Sequence, residues 1–146
     1  VWSLSHDSAG MCVRFSTDAP TISGRWSLTS PGLSMPHMPA TGVSGLDLYA
    51  RSLGTTDPHL GWRWVGAGRP EKQEGNEQVL VRGLPEGTRE YLLYLPLYNG
   101  VSKVEIGVPA SASLEVVTLS PEAGKPIVFY GTSILQGGCA SRPGSP

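Results

Sequence analysis

The sequence predicts a mainly β protein, with an antiparallel, jelly-roll-like β-sandwich followed by the start of an α/β unit. Its 146 residues include 19 glycines and 13 prolines, a share of chain-breaking residues that suits short strands joined by turns better than long helices. Hydrophobic residues make up 39%, and Trp, Tyr, Val and Leu are plentiful, which excludes a disordered chain. A chain of this length can bury one ordinary hydrophobic core.

Eight short segments before residue 120 have the patterns of β-strands. In the second of them, Ile22, Gly24, Trp26 and Leu28 fall on one face, as the strand period of two requires. None of the eight shows a helical period, which favours an antiparallel sandwich. The predicted strands are residues 11–15, 22–28, 46–51, 61–65, 78–82, 91–98, 101–108 and 114–119.

Two connections between the predicted strands are informative. Residues 29–45 form a long connection rich in proline and glycine, and a loop of this length in a compact domain is usually functional or packed against another element. Asn99-Gly100 lies between the sixth and seventh strands, and both residues readily adopt the positive φ angles of a type I′ turn. This pair predicts a β-hairpin.

The pattern changes after residue 120. Residues 126–131 are a continuous apolar run, typical of a strand that is covered on both faces in an α/β sheet, and residues 132–138 predict a turn from strand to helix. We therefore divide the chain into a sandwich at 1–119 and, at 120–146, a linker plus the start of an α/β domain that the sequence does not complete. Because a bare apolar strand invites aggregation, we expect it to be buried by the rest of the protein or by a partner.

Charge, hydropathy and cysteine spacing argue against several function classes. The formal net charge is −1 and no block of lysine or arginine occurs, so we expect no nucleic acid partner. No apolar run approaches the roughly 20 residues that a membrane-spanning helix needs, so we expect no membrane partner. Cys12 and Cys139 have neither metal-binding nor redox spacing, and we expect no metal and no cofactor.

Ser133 is the strongest candidate for chemistry. It follows the predicted buried strand, and α/β proteins place their sites at the carboxyl ends of such strands. The first N–H groups of the following helix could stabilise an oxyanion, and Gly137 and Gly138 would allow a substrate to approach closely. On position alone, helix capping is the more common role of a serine at such a turn.

Two segments of the chain resemble a known family. Residues 127–138 and 140–144 are similar to the first conserved block of SGNH (GDSL-type) hydrolases, in the branch whose block reads Gly-Thr-Ser-Ile…Gly-Gly…Ser-Arg-Pro-Gly. Residues 38–49 resemble the GxDLY domain found at the front of that branch. The two separate segments occur in the family's order, and the resemblance spans residues 38–144 from the first to the last of them, so it favours a catalytic role for Ser133.

The resemblance implies an esterase, commonly one that removes acetyl groups from carbohydrates or other alcohols. Ser133 would be the nucleophile that attacks the ester carbonyl and forms an acyl-enzyme, and its own N–H would be one oxyanion donor. Thr132 and Ile134 stand where the commoner Gly-Asp-Ser-Leu form has Asp and Leu, which leaves the serine in place. The resemblance alone slightly favours a secreted or periplasmic location.

The resemblance also implies catalytic residues that this sequence lacks. The family takes its base from an Asp-x-x-His pair, and a glycine and an asparagine complete its oxyanion hole, all C-terminal to the first block. No Asp-x-x-His occurs here, and His6, His37 and His59 fall in the predicted sandwich. Because a serine without a base is inert, we expect the 146-residue chain alone to be inactive. The rest of the catalytic domain, from the same protein or a separate chain, is the expected partner.

Several weaker candidates remain. Trp62 and Trp64 share one face of a strand and could form a stacking platform for sugar rings, although such pairs more often pack in a core. His37 could border an active site from the long loop, but a plain loop histidine is the simpler interpretation. Asp47 lies between two leucines of a strand and must be hydrogen-bonded if buried, which favours a structural role. Cys139 is more simply a packed thiol than a nucleophile.

Two other functions stay open at this point. The first is a non-catalytic carbohydrate-binding or domain-organising sandwich, in which residues 120–146 are a docking segment. The second is an acyltransferase with the same serine chemistry, which transfers its acyl group to an acceptor other than water. An Asp-x-x-His pair in an intact longer chain would decide in favour of an enzyme.

Overall fold

The structure confirms a mainly β protein with two antiparallel sheets. It is a computed structural model that describes residues 2–52, 54, 61–118 and 128–145. Short helices in the described residues are a 3-10 helix at Trp2–His6, α1 at Ala40–Val43 and α2 at Ser133–Gln136. The strands are β1 (Cys12–Thr17), β2 (Thr21–Leu28), β3 (Leu46–Arg51), β4 (Trp62–Gly68), β5 (Asn76–Arg82), β6 (Arg89–Tyr94), β7 (Val101–Gly107) and β8 (Leu114–Val116).

The strands divide into a five-stranded sheet of order β4-β3-β6-β1-β8 and a three-stranded sheet of order β5-β2-β7. Each of the eight strands predicted before residue 120 is present, and β3 has the predicted bounds. The pairings between neighbouring strands are all antiparallel. None of the described helices is long and apolar enough to cross a membrane.

The two sheets face each other across one hydrophobic core. The predicted face of β2 is buried, and Trp26 is its largest member, only 1% exposed. Leu46 and Leu48 reach the same core from β3 on the opposite sheet. The Trp26 indole nitrogen donates to the Ser44 carbonyl oxygen at 3.1 Å, so the one polar atom of this ring is satisfied inside the core.

The hairpin predicted at Asn99-Gly100 is wrong. The flanking strands β6 and β7 belong to different sheets, and Gly100 lacks the positive φ of a type I′ turn. The buried Asn99 side chain instead holds a crossing between the sheets. Its oxygen accepts from the Ser30 N–H at 3.1 Å, and its nitrogen donates to the Ser30 carbonyl oxygen and the Ser44 hydroxyl, each at 3.0 Å. Glycine is needed next because a Cβ there would lie 2.5 Å from the His6 carbonyl oxygen.

The long connection at residues 29–45 is packed, as its length predicted. It contains α1, and it contributes to a second apolar cluster formed by Met38, Val43 and Leu97. Ala140 packs against this cluster from the C-terminal part of the chain. The connection therefore forms part of the surface on which the segment after Ser133 lies.

The strand predicted at residues 126–131 does not form over its described part, residues 128–131. Val128, Phe129 and Tyr130 are exposed, by 84, 73 and 101%. A parallel strand needs neighbours that donate and accept backbone hydrogen bonds, and none of the described strands pairs with this segment. Residues 126 and 127 lie outside the described residues, and burial by another part of the protein stays a prediction.

A group of three ionised side chains lies on the outer face of the five-stranded sheet. Glu90 on β6 accepts hydrogen bonds from Arg14 on β1 and, at 3.1 Å, from Arg51 on β3. Burial is the largest influence and raises the pKa of Glu90, but the hydrogen bonds and charges of the two arginines together lower this pKa below its ordinary value of 4.5. Folding therefore stabilises the ionised carboxylate.

We expect Glu90→Gln to lower the free energy of unfolding at pH 7 by about 1–3 kcal/mol, because it removes the carboxylate shared by two partly buried guanidinium groups. Since the folded pKa of Glu90 is depressed, its contribution is present above pH 4.5 and is lost as the pH falls through the folded pKa. Urea unfolding at pH 7 and at about pH 3 measures this difference.

Glu105→Gln is the matched control for Glu90→Gln. Glu105 pairs with Arg25 and Lys103 on the exposed face of the other sheet, where ion pairs contribute little, so we expect no measurable change. A Glu90→Gln deficit of equal size at pH 7 and pH 3 would contradict the assigned linkage.

Candidate active site

Ser133 is the first residue of α2, at the predicted strand-to-helix turn. The helix ends at Gln136, and Gly137 follows with φ of 99°, a left-handed conformation that suits glycine. Thr132, not Ser133, occupies the capping position, and it makes no side-chain hydrogen bond to the helix. The structure therefore gives Ser133 no capping role, and its side chain is exposed at the start of the turn.

Hydrogen bonds within the described residues hold the backbone of Ser133 but not its hydroxyl. The carbonyl oxygen accepts from the Tyr98 hydroxyl at 3.2 Å and from the Gly138 N–H at 2.6 Å. In the part of the chain that the structure describes, no side chain hydrogen-bonds the Ser133 hydroxyl, and His6 and His37 are among those that do not. The third histidine, at position 59, lies outside the described residues.

Gln136 ties the turn to the end of the sandwich. Its amide nitrogen donates to Asp7 Oδ2 at 3.0 Å and to the Leu97 carbonyl oxygen at 3.2 Å. Burial raises the pKa of Asp7, and the Gln136 hydrogen bond and the charge of His6 lower it in part. The next residue, Gly137, lies directly on Leu97, because a Cβ there would be 2.9 Å from the leucine Cδ1.

Residues 140–144, called the docked segment below, continue from this turn across the sandwich. The segment begins against α1, where the Thr41 hydroxyl donates to the Ser141 carbonyl oxygen at 2.7 Å. Gly42 allows this approach, because a Cβ there would lie 2.2 Å from the Ala140 carbonyl oxygen. The long 29–45 loop thus contacts the segment that follows the candidate nucleophile.

The docked segment ends on the outer face of the five-stranded sheet. The Gly144 N–H donates to Asp47 Oδ2 at 3.0 Å, and the Tyr49 hydroxyl donates to the Gly144 carbonyl oxygen at 2.9 Å. Asp47 is fully buried, and its other oxygen accepts from the Trp64 indole nitrogen at 2.8 Å. The hydrogen-bonding role predicted for a buried Asp47 is therefore confirmed.

Trp62 and Trp64 lie on the outer face of the same sheet, and an arginine lies against each ring. The Arg14 guanidinium carbon is 5.7 Å from the centre of the Trp62 ring, and that of Arg142 is 4.8 Å from the centre of the Trp64 ring. Contacts of this kind contribute about 0.5–2 kcal/mol. Trp64 is half exposed, and a platform of these rings for sugars stays a prediction.

His37 lies in an open groove formed by residues 34–41 together with Arg69. The groove adjoins the docked segment because Thr41, one of its lining residues, bonds Ser141. The imidazole is exposed. A role for His37 at the rim of an active site stays a prediction.

The described residues contain no group of three or more potential metal ligands. Cys12 and Cys139 are free and exposed, so the packed environment predicted for Cys139 is wrong. The packed positions around this turn belong to Gly137 and Ala140, which leaves the thiol outside. Although the Cys12 residue is exposed, nearby protein atoms partly desolvate its thiol and raise its pKa, and the charge of Arg14 lowers this pKa in part.

Sequence reasoning missed the partners of Asp47. Tyr49 and Arg142 were not singled out, although the strand pattern contained a usable indication. Since alternation sends Leu46 and Leu48 into the core, Asp47 and Tyr49 must face the other side of the sheet. A buried aspartate on that face requires a covering segment with hydrogen-bond donors.

Comparison with known proteins finds family matches for both parts of the chain. The GxDLY family model, described as the N-terminus of SGNH-hydrolase-type esterases, matches residues 1–114. A second model, the GDSL-like lipase/acylhydrolase family, matches residues 124–145. No match is found among curated proteins.

Two solved structures are similar to the chain. A Bacteroides ovatus protein assigned as a GDSL-like lipase is 34% identical, with a TM-score of 0.79 over 97% of this chain and 39% of its own. The salicylyl-acyltransferase SsfX3 from a tetracycline biosynthetic pathway is 21% identical, with a TM-score of 0.55 over 78% of this chain and 28% of its own, and shows a likeness of fold. The chain thus spans about two fifths of the length of the first of these proteins.

Proposed function

Because the chain belongs to the GxDLY family of SGNH-hydrolase-type esterase N-termini, we propose that it is the front part of a serine esterase with Ser133 as its nucleophile. One observation carries this proposal. Ser133 lies inside the segment matched by the GDSL-like hydrolase family, at the start of α2, with an exposed side chain whose hydroxyl bonds no described side chain. A hydroxyl in this state is available to a substrate and a base.

The proposed reaction runs through an acyl-enzyme. The Ser133 Oγ bonds to the ester carbonyl carbon while a base takes the hydroxyl proton, and the carbonyl electron pair moves onto oxygen. The Ser133 N–H is the proposed first donor to this oxyanion. The intermediate collapses, the alcohol leaves with the proton from the base, and the acyl group stays on Ser133. Water then repeats the sequence and releases the acid.

The base is proposed to come from the rest of the catalytic domain, in the same protein or in another chain. The sequence contains no Asp-x-x-His pair, so none of its own residues is assigned this task. The exposed apolar side chains near the nucleophile support this proposal, because surfaces of this kind are usually covered. They include Val128, Phe129, Ile134 and Leu135.

The proposed substrate is an acetyl ester of a carbohydrate, which rests on the family resemblance. Trp62, Trp64 and His37 are the proposed sugar contacts on the sandwich side. A second candidate is acyl transfer to an acceptor other than water, since a salicylyl-acyltransferase shares the fold and the same serine chemistry serves both reactions. The two candidates differ only in what attacks the acyl-enzyme.

We expect the native protein that carries this chain to release acetate from an acetylated sugar and from 4-nitrophenyl acetate. The 146-residue chain is the control, and we expect no turnover from it because a nucleophile without a base is inert. Adding excess unacetylated sugar distinguishes the candidates, since an esterase still yields acetate whereas a transferase yields a new ester, and chromatography measures both. A native protein that cleaves neither substrate and acylates no acceptor would contradict the proposed function.

A further inference from the structure

Part of the outer face of β3 is covered, although the outer face of a sandwich ordinarily meets solvent. Leu46 and Leu48 point into the core, so Asp47 and Tyr49 emerge on the opposite side of the sheet. Asp47 is nevertheless 0% exposed, because the docked segment lies over it. A carboxylate is rarely buried so completely unless its oxygens have partners.

Both Asp47 oxygens have polar partners, and two of the three partner residues, Gly144 and Arg142, belong to the docked segment. Oδ2 accepts a hydrogen bond from the Gly144 N–H at 3.0 Å, and Oδ1 accepts one from the Trp64 indole N–H at 2.8 Å. Oδ1 also forms an ion pair with Arg142, whose Nε lies 3.5 Å away. Burial raises the pKa of Asp47, and the Gly144 bond, the Arg142 charge and the Trp64 bond lower it in part. Arg142 also lies over the Trp64 ring, so these groups form one cluster.

Tyr49 forms the second hydrogen bond to the backbone of Gly144. Its hydroxyl donates to the Gly144 carbonyl oxygen at 2.9 Å, so side chains two positions apart on one strand hold both backbone polar groups of this residue. Only glycine fits at this position, because a Cβ would lie 2.3 Å from Tyr49 Cε2 and 2.9 Å from Tyr94 Cδ2. Two hydrogen bonds and close packing against the Tyr49 and Tyr94 rings thus fix the position of Gly144 on the sheet.

The held residue is connected to Ser133 through a stretch that is fixed at several points. Thr41 bonds Ser141, Gln136 bonds Asp7, and Tyr98 bonds the Ser133 carbonyl oxygen. Ser133 lies at one end of this stretch and Gly144 at the other. The sandwich therefore contacts residues 132–138, called the nucleophile turn below, and the segment that leads away from this turn.

We propose that Asp47 and Tyr49 are positioning residues, which act on Ser133 through Gly144 and the restrained residues 133–144. The proposal rests on the proposed nucleophile role of Ser133. In this proposal, the function of the Gly-Leu-Asp-Leu-Tyr sequence at residues 45–49 is to hold the nucleophile turn against the sandwich in one orientation. A displacement of a catalytic group by about 1 Å can lower the reaction rate about 10²-fold. Asp47 and Tyr49 can therefore affect kcat without touching the ester.

Tyr49→Phe in the native protein is the sharpest test, because it removes one hydroxyl and keeps the ring that lies against Gly144. We expect kcat for 4-nitrophenyl acetate to fall about tenfold, with KM within about twofold of the wild-type value, since substrate contacts are unchanged. Hydrogen exchange of the amides in residues 133–145, followed by mass spectrometry, is expected to become several-fold faster.

Tyr94→Phe is the matched control. The Tyr94 ring lies beside Gly144 and edge-on to Tyr49 at 5.7 Å, but its hydroxyl bonds none of the described residues. We therefore expect unchanged kcat and unchanged exchange. Asp47→Asn and Asp47→Ala add a rescue test, because asparagine keeps an oxygen for the Gly144 N–H and should recover part of the kcat that alanine loses.

Two results would overturn the positioning role. One is Tyr49→Phe with wild-type exchange in residues 133–145, and the other is faster exchange with wild-type kcat, which would make the contacts merely structural. Both differ from failure of the proposed function, which shows as turnover retained by Ser133→Ala. The exchange measurement reports on docking without any reference to turnover.

Discussion

Replacing Ser133 with alanine is expected to lower kcat of the native protein for ester hydrolysis by about 10⁴- to 10⁶-fold, because it removes the oxygen proposed to form the acyl-enzyme. Folding should be unaffected. The Ser133 side chain is exposed, and the contacts that hold this residue go to its backbone, which alanine retains. Initial rates of acetate release, together with thermal unfolding of the same samples, measure both expectations.

Ser102→Ala is a matched control for this substitution. Ser102 lies on β7 with an exposed side chain, far along the chain from the nucleophile turn, so its loss should change neither rate nor melting temperature. Near-normal turnover by Ser133→Ala would remove Ser133 from the nucleophile role. A rate loss accompanied by unfolding would instead show that Ser133 is needed for the fold.

Replacing Trp26 with alanine is expected to lower the free energy of unfolding by about 3–5 kcal/mol, the usual range for deleting a large buried aromatic side chain. Trp26 is 1% exposed, and its ring lies against Gly68 on the opposite sheet, where a Cβ would be 2.9 Å from the indole. For a chain of this length we expect a fall of roughly 10–20 °C in melting temperature. Urea and thermal unfolding measure both quantities.

The Trp26 substitution also bears on the candidate site. Its indole nitrogen bonds the Ser44 carbonyl oxygen, directly before the residues 45–49 that hold the docked segment. Trp2→Ala is the control, because Trp2 is 78% exposed and its removal should leave the melting temperature nearly unchanged. A Trp26→Ala variant with a melting temperature within about 3 °C of wild type would contradict a single core between the two sheets.

Local patterns predicted the strands well because a strand with one buried face repeats every two residues. β2 buries Trp26 and its neighbours on the predicted face, and β3 spans Leu46–Arg51 as predicted. The start of the helix at Ser133 could also be predicted from the sequence, because the glycines that end the short α2 lie close by in the chain. These features depend on residues that are near one another in the chain.

Features that depend on distant partners could not be predicted in the same way. Asn99-Gly100 has the composition of a hairpin turn, but the Asn99 side chain is hydrogen-bonded to Ser30, 69 residues away in the sequence. Asp47 meets Gly144 across 97 residues, and neither position alone indicates the other. For the apolar run at 128–130, the local pattern predicted a strand that the structure does not form. A parallel strand forms only when neighbouring strands are available.

The most direct test of the account is the position at which a fluorophosphonate ester reacts covalently with the native protein. Such a probe is attacked by an activated serine and stays bonded to its oxygen. We predict about one label per chain, located by peptide mass spectrometry on Ser133, and no label in Ser133→Ala. A label on a different serine, or no label on a protein that hydrolyses acetyl esters, would contradict the claim that this chain carries the nucleophile.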